Sequence, residues 1–425
     1  MAGGHTVIIG GGIIGVCSAY YLAKRGHRVT LIDRGEIGSG ASFGSAGIIA
    51  IGHPPMPRPG LVGQALRWMF KSDSPLYVPP RMDPSLISWL WRFYRSCSRK
   101  HESHCMEFLA QLGVQASECF ETLIQHEKLN CEFRSTGWLD VFRSEEAMQH
   151  GEQDAKLLRS YGYEADVLPA EELRNREPML KAGISGAVHY SQSAIAEPYQ
   201  FLVQLADRAQ AHGAEVRENT PTSSFIVENG KCKGVRTQDG VAIEADSVVL
   251  AAGSWTTQLA RLLGINVPMQ PGKGYHRNIM RPEVSLNTAC VLAERHVAVT
   301  PMGGYLRLSG TVELSGMNHR LVSKRLNMLS AGASVFLEGI DEAQTISEWC
   351  GLRPCTADGL PIVGWAPNIK GVFIATGHAR MGFTLGPVTG KLVSECILDD
   401  EPSIDLSPLR VERFAQRRRP IAAGL

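Results

Sequence analysis

Gly10, Gly12 and Gly15, followed by an acid at Asp33, stand at a spacing that serves one chemistry, the holding of a dinucleotide. The first glycine permits a tight turn, the second lets a pyrophosphate approach the backbone, and the third lets a helix pack closely on a strand. Unpaired N–H groups at the start of that helix then face the anion, where the helix dipole favours negative charge. Asp33 can accept hydrogen bonds from both hydroxyls of a ribose, and Ile13, Ile14 and Arg34 complete the candidate contacts. This set by itself suits NAD as well as FAD.

The elements that must position these residues surround them. A strand beginning at about His5 runs four apolar residues into the glycines, Gly15 opens a helix-patterned segment and a second apolar strand ends at Asp33, which gives a β-α-β unit. The following GEIGSGASFGSAGIIA is too poor in large apolar residues to be a packed helix. Its Ser39, Ser42 and Ser45 offer hydroxyls to a diphosphate, and its small residues up to Gly47 let backbone approach a ligand. IGHPPMPRPG, rich in proline, reads as a rigid exit into a second domain. Residues 61–185 are helix-rich, with two short strands expected around Thr136–Gly137, and look like a cap over a ligand site.

The dinucleotide pattern resumes with a helix starting at Pro198, a hairpin at Asn229–Gly230 and the apolar strand ADSVVLAAG, whose end at Gly253 lies at a carboxyl edge. Between about 266 and 347 short strand runs (GYHRNIM, ACVLAE, HVAVTP, YLRLSG) predict an antiparallel sheet, with helices near Asn318–Leu329 and Ala331–Leu337. The strand GVFIATG and a helix expected from Gly386–Pro387 make a third strand end, more than NAD requires, which decides for FAD. The fold class predicted is α/β plus α+β. A Rossmann-like FAD-binding domain (1–55, 186–265 and 348–425) is interleaved with a substrate-binding or cap domain on an antiparallel sheet (56–185 and 266–347).

Composition excludes other classes. Lys and Arg number 43 against 42 Asp and Glu, a net charge of +1 that gives no reason to expect nucleic acid as a partner. The ten cysteines are scattered, with no metal or iron–sulfur spacing, so reduced thiols in a cytoplasmic protein are expected and no metal site. A first strand at His5 leaves no room for a secretory leader, and no apolar run reaches the roughly 18 residues of a membrane span. The aromatic and basic stretch from Leu61 to Lys100 either lies on the inner face of an anionic membrane or buries its rings against a neighbouring domain.

VIIGGGIIG with Asp33, GASFGSAG, VVLAAGSW, GLRPCTADGLPIVG and IATGHARMGFTLGPVTG together resemble the D-amino-acid oxidase family of FAD-dependent amine dehydrogenases and oxidases. SPLYVPPRMDPSLISWLWRF is more specifically similar to bacterial D-amino-acid dehydrogenases. The resemblance covers the whole chain and departs only in carrying Asp33 where Glu is usual. It implies a flavin between the two domains, backbone near Thr222 at the adenine, Ser42 to Gly47 along the pyrophosphate and ring, and Gly382, Phe383 and Thr384 at the pyrimidine edge, with His378 beside it.

The activity implied is transfer of a hydride from an amino acid α-carbon to FAD, followed by hydrolysis of the imine to a 2-oxo acid. The substrate is a D-amino acid, with cyclic ones such as D-proline or D-hydroxyproline included. Arg353 is the first candidate to clamp the carboxylate, with Arg307 or Arg277 as the second. Tyr275 and His53 are candidates to contact substrate, and Cys355 invites the question of a covalent flavin link. Quinone and oxygen both stand as electron acceptors, and homo- or hetero-oligomeric assembly is compatible with the chain. Oxidation of N-methylated glycine or an L-imino acid, an FAD-binding subunit of a larger complex, and an NAD-only enzyme are the competing readings.

Overall fold

The structure, a computed structural model, describes residues 4–52, 54–69, 71 and 74–415. A six-stranded sheet runs in the order Ile362–Trp365, Val372–Thr376, Ser247–Leu250, His5–Ile9, Arg28–Ile32 and Glu215–Arg217. All neighbours are parallel except the outer pair, Ile362–Trp365 with Val372–Thr376. The central strands are apolar on both faces because both are covered. Ile8, Leu31 and Val249 pack toward helices Ile13–Lys24, Pro198–Ala211 and Gly382–Ile397, while Val7, Ile9 and Val248 pack toward a three-stranded meander.

The larger, nine-stranded sheet carries the second domain. Strand Met269–Met280 pairs antiparallel with both Thr345–Thr356 and Tyr305–Glu313, as the alternating runs predict. The sheet is nonetheless mixed, because Ala289–Leu292 lies parallel to Trp138–Phe142. A long connection separates those strands, so nothing local dictated their direction. Gly186–Tyr190 and most of Thr345–Thr356 belong to this sheet, so the chain changes sheets near Tyr190 and Thr356.

Other boundaries shift for identifiable reasons. One helix, Ser323–Ser334, stands where two were expected. Only Trp138–Phe142 forms a strand around the Thr136–Gly137 turn, Arg134 making a single bridge to Ile195. The last helix begins at Gly382 and carries Pro387 in its interior. There a side chain on Gly386 would meet Ile13 and one on Gly390 would meet the Cys17 backbone at 2.5 Å. This close seat against the first helix outweighs the hydrogen bond that proline removes.

The aromatic stretch divides its two readings. Trp89 is buried and donates from Nε1 to the Cys355 carbonyl at 2.9 Å, whereas Ile87, Trp91 and Tyr94 of the same helix, Pro84–Ser96, face solvent. No helix among the described residues is long and apolar enough to cross a membrane.

Candidate active site

Both sheets wall one cavity of about 2340 Å³. At one end lies the glycine turn. Gly10 adopts φ +114°, and a side chain there would meet the Ala251 carbonyl at 2.5 Å, so the turn and the neighbouring strand end approach as only glycine allows. Gly12, Ile13 and Ile14 line the cavity at the helix start, and the Ile13 N–H is held by Ser42 Oγ at 2.9 Å. Gly15 does not reach the cavity; a side chain there would overlap the Gly10 carbonyl, so it serves the helix–strand packing instead.

Asp33 lines the same end, its two oxygens accepting from Gly11 N at 2.6 Å and Gly35 N at 2.8 Å, which fixes the carboxylate and leaves lone pairs for a ribose. Arg34 stacks its guanidinium on the Trp255 ring at 3.8 Å, beside Gly253. Thr222 also lines this end, and its buried hydroxyl has no hydrogen-bond partner among the described residues. A buried orphan hydroxyl, a carboxylate oriented by backbone and an open helix start are the partners that an adenosine diphosphate needs, so the residues present fit FAD.

The middle of the cavity is bounded by Ser42, Ser45, Phe383, Thr384 and Gly382, with His378 at the third strand end. Thr384 Oγ1 accepts from Ala50 N at 3.1 Å and so joins the small-residue loop to the last helix. Gly47 sits behind this wall, in the left-handed region with φ +76°. His378 Nε2 is hydrogen-bonded to Thr389 Oγ1 at 3.0 Å, and burial pushes the imidazole down to about 3, so it is neutral.

Arg353, on strand Thr345–Thr356, also borders the cavity. It lies across Gly274 of the paired strand, where any side chain would overlap its guanidinium, and Nη1 donates to the Thr311 carbonyl at 3.0 Å. No carboxylate among the described residues pairs with it, and it opens into the cavity. Cys355, two residues on, also borders the cavity, and burial pushes its thiol up to about 11, which makes it a weak nucleophile at neutral pH.

The other candidates are placed elsewhere. Arg307 is buried against Glu197 at 3.3 Å and donates to the Ser45 carbonyl at 2.7 Å, so it anchors the small-residue loop and does not line the cavity. Tyr275 and Arg277 alternate onto the opposite face of their strand. There Tyr275 donates to Glu313 Oε2 at 2.7 Å and Arg277 is bound to Glu348. His53 lies outside the described residues. Sequence reasoning missed Arg380, which borders the cavity and donates to the Pro54 carbonyl at 2.8 Å, and Asp140 of strand Trp138–Phe142. The signal for Arg380 was present in its place between a strand end and the start of a helix.

A family model for FAD dependent oxidoreductases, DAO, matches residues 5–396. The chain belongs to the DAO family of FAD-dependent oxidoreductases. FAD is therefore its cofactor. The chain is similar to the D-amino acid dehydrogenase of Bradyrhizobium diazoefficiens, 31% identical over 419 residues, 97% of this chain and 99% of that protein. It is likewise similar to the D-amino acid dehydrogenase of Cereibacter sphaeroides, 32% identical over 428 residues, 98% of this chain and 97% of that protein. Among solved structures, the DAO-family chain shares its fold with glycine oxidase from Geobacillus kaustophilus, with a TM-score of 0.78 at 24% identity, covering 96% of this chain and 99% of that one. The L-proline dehydrogenase from P. horikoshii is similar at a TM-score of 0.77 and 21% identity, covering 97% and 98% of the two chains.

Proposed function

We propose that this protein is an amino acid dehydrogenase that oxidises the α-carbon of a D-amino acid. The observation that carries the reading is the Arg353 guanidinium, which has no carboxylate partner among the described residues, lies over Gly274 and borders the cavity. An arginine fork with no protein carboxylate is suited to a substrate carboxylate. The nearly full-length similarity to D-amino acid dehydrogenases supports the choice of substrate class.

Bound FAD supplies the acceptor for the hydride that leaves the α-carbon. Arg353 fixes the carboxylate end, and Arg380, whose charge lies in the field of Arg353, adds a second cation beside it. With the carboxylate held, the α-carbon has one position relative to the wall formed by Ser45 and Thr384, and positioning supplies most of the rate. Neutral His378 stays a hydrogen-bonding group and brings no positive charge to the site. The released imine hydrolyses in water to the 2-oxo acid.

Exposed Ile87, Trp91 and Tyr94, spaced four and three apart on one helix face with Arg95, Arg99 and Lys100 exposed nearby, support transfer of the electrons at an anionic membrane surface. Turnover of the FAD-loaded protein with an artificial dye and matched D- and L-amino acids tests the main reading. D enantiomers are expected to turn over faster, and a preference for L-amino acids or for N-methylated glycine would replace it with the competing reading. D-proline enters the same panel as the cyclic substrate.

A further inference from the structure

One arm of the cavity is lined by Arg58, Asp140 and Asp154, charged groups that are not needed to hold FAD or an α-carboxylate. Its floor is the strand Trp138–Phe142, where Trp138, Asp140 and Phe142 share one face and border the cavity. Helix Glu145–Ser160 covers that face, and Asp154 on it is paired with Arg58 at 2.9 Å. Arg58 comes from the proline segment whose Pro54 carbonyl receives Arg380. Arg380 lies within the field of Arg58, Arg353 and Asp140.

Within this arm the charges balance unevenly. Arg58 has Asp154, and Arg380 is held by a backbone carbonyl beside the site for the substrate carboxylate. The Asp140 carboxyl makes no hydrogen bond or ion pair with any described residue, although its backbone pairs in the sheet. Burial first, and then the Asp154 charge, pushes its carboxyl up to about 7, with Arg58 and Arg380 acting in the opposite sense. A half-buried carboxyl group that faces a cavity without a protein donor has lone pairs free for a ligand that brings one. The stacked rings of Trp138 and Tyr190, with centroids 4.4 Å apart, border the same space. Aromatic walls beside a carboxylate suit a cation.

We propose that Asp140 selects the substrate by binding a cationic group at the end of its side chain, so that the preferred substrates are basic D-amino acids of the lysine and arginine class. Two cations, Arg353 and Arg380, and one carboxyl group without a protein partner among the described residues, Asp140, border the same cavity, and a molecule that carries a carboxylate and a side-chain cation is their complement. The inference rests on the amino acid dehydrogenase reading above and specifies the substrate of that same site. Asp140 is a specificity residue and takes no part in hydride transfer.

The test compares D-lysine with D-norleucine, which keeps the chain and lacks the charge, in FAD-loaded wild-type protein and in Asp140→Asn. The wild type is expected to favour D-lysine in kcat/KM by about tenfold or more, and the substitution to bring that ratio close to one. A wild-type ratio at or below one overturns the proposal, and needs no variant. A ratio that Asp140→Asn leaves unchanged also overturns it, the visible flavin spectrum and thermal midpoint showing that the variant has folded. If no amino acid of any kind reduces the wild-type protein, the dehydrogenase reading itself fails, an outcome distinct from turnover of neutral D-amino acids alone.

Discussion

The guanidinium of Arg353 rests on the bare backbone of Gly274 in the adjacent strand, and no other residue type at 274 leaves it there. One strand pair therefore sets both the reach and the direction of this guanidinium, the proposed carboxylate clamp. In Gly274→Ala the new methyl displaces Arg353 while leaving the cofactor end untouched. We expect kcat/KM to fall by about tenfold to a hundredfold, a misplacement effect, with FAD content unchanged. Steady-state kinetics on protein of equal flavin content measure this.

Replacing Arg353 itself should cost more. Removing one partner of a desolvated charge pair costs about 2–5 kcal/mol, so Arg353→Met is expected to lower kcat/KM at least about thirtyfold. Arg353→Lys should recover only part, because an ammonium cannot make the two parallel bonds of the fork.

Arg307 predicts the opposite phenotype. It is buried with Glu197 and holds the Ser45 carbonyl, so Arg307→Met leaves the buried Glu197 carboxylate without its cation, though still accepting from Gln200 N and the Tyr305 hydroxyl, and loosens the small-residue loop. Breaking such a pair costs about 3–5 kcal/mol. A lower thermal midpoint and weaker FAD retention are expected, while KM of the flavin-loaded fraction stays near wild type. A large rise in KM at full flavin content would show Arg307 acting as a clamp.

The His276 imidazole stacks on Trp349 at 5.2 Å and on Phe43 at 6.4 Å, and burial, then the charge of Arg307, pushes it down to about 3. The unfolded chain binds a proton near the ordinary histidine value of about 6.5, which the folded protein refuses. The contribution of this site to stability is thus complete above that value and is lost as pH falls from there toward 3. His276→Phe should flatten the decline in thermal midpoint between about pH 6.5 and about pH 4. His378 keeps part of the slope, having the same sign of shift.

Ile87, Trp91 and Tyr94 expose more than half of their surface on one helix face. Cosedimentation with vesicles rich in anionic lipid is expected for the full chain and should fall severalfold in Trp91→Ala with Tyr94→Ala. Equal recovery in the supernatant with and without vesicles would show that this face serves another purpose.

The cofactor half of the site was legible because its geometry is local. Gly10, Gly12 and Asp33 are set by one β-α-β unit, and the strand ends at Gly253 and Thr376 announce themselves as apolar runs closed by glycine. The substrate half was legible only in part. Tyr275 and Arg307 stand among the right strand motifs, but the pleat turns Tyr275 to the far face, and a Glu197 brought from another domain claims Arg307. Asp140 carries no local signal at all. Its exposure to the cavity depends on a parallel pairing with Ala289–Leu292, strands more than a hundred residues apart, and on the lid formed by Glu145–Ser160.

Anaerobic mixing of the FAD-loaded protein with single amino acids tests the central claim most directly. The account predicts that a D-amino acid bleaches the visible flavin absorbance, that its L enantiomer does so far more slowly, and that Arg353→Met of equal flavin content loses most of the D-amino acid response. Absence of bleaching with every D-amino acid, or bleaching as fast in Arg353→Met as in the wild type, would contradict it.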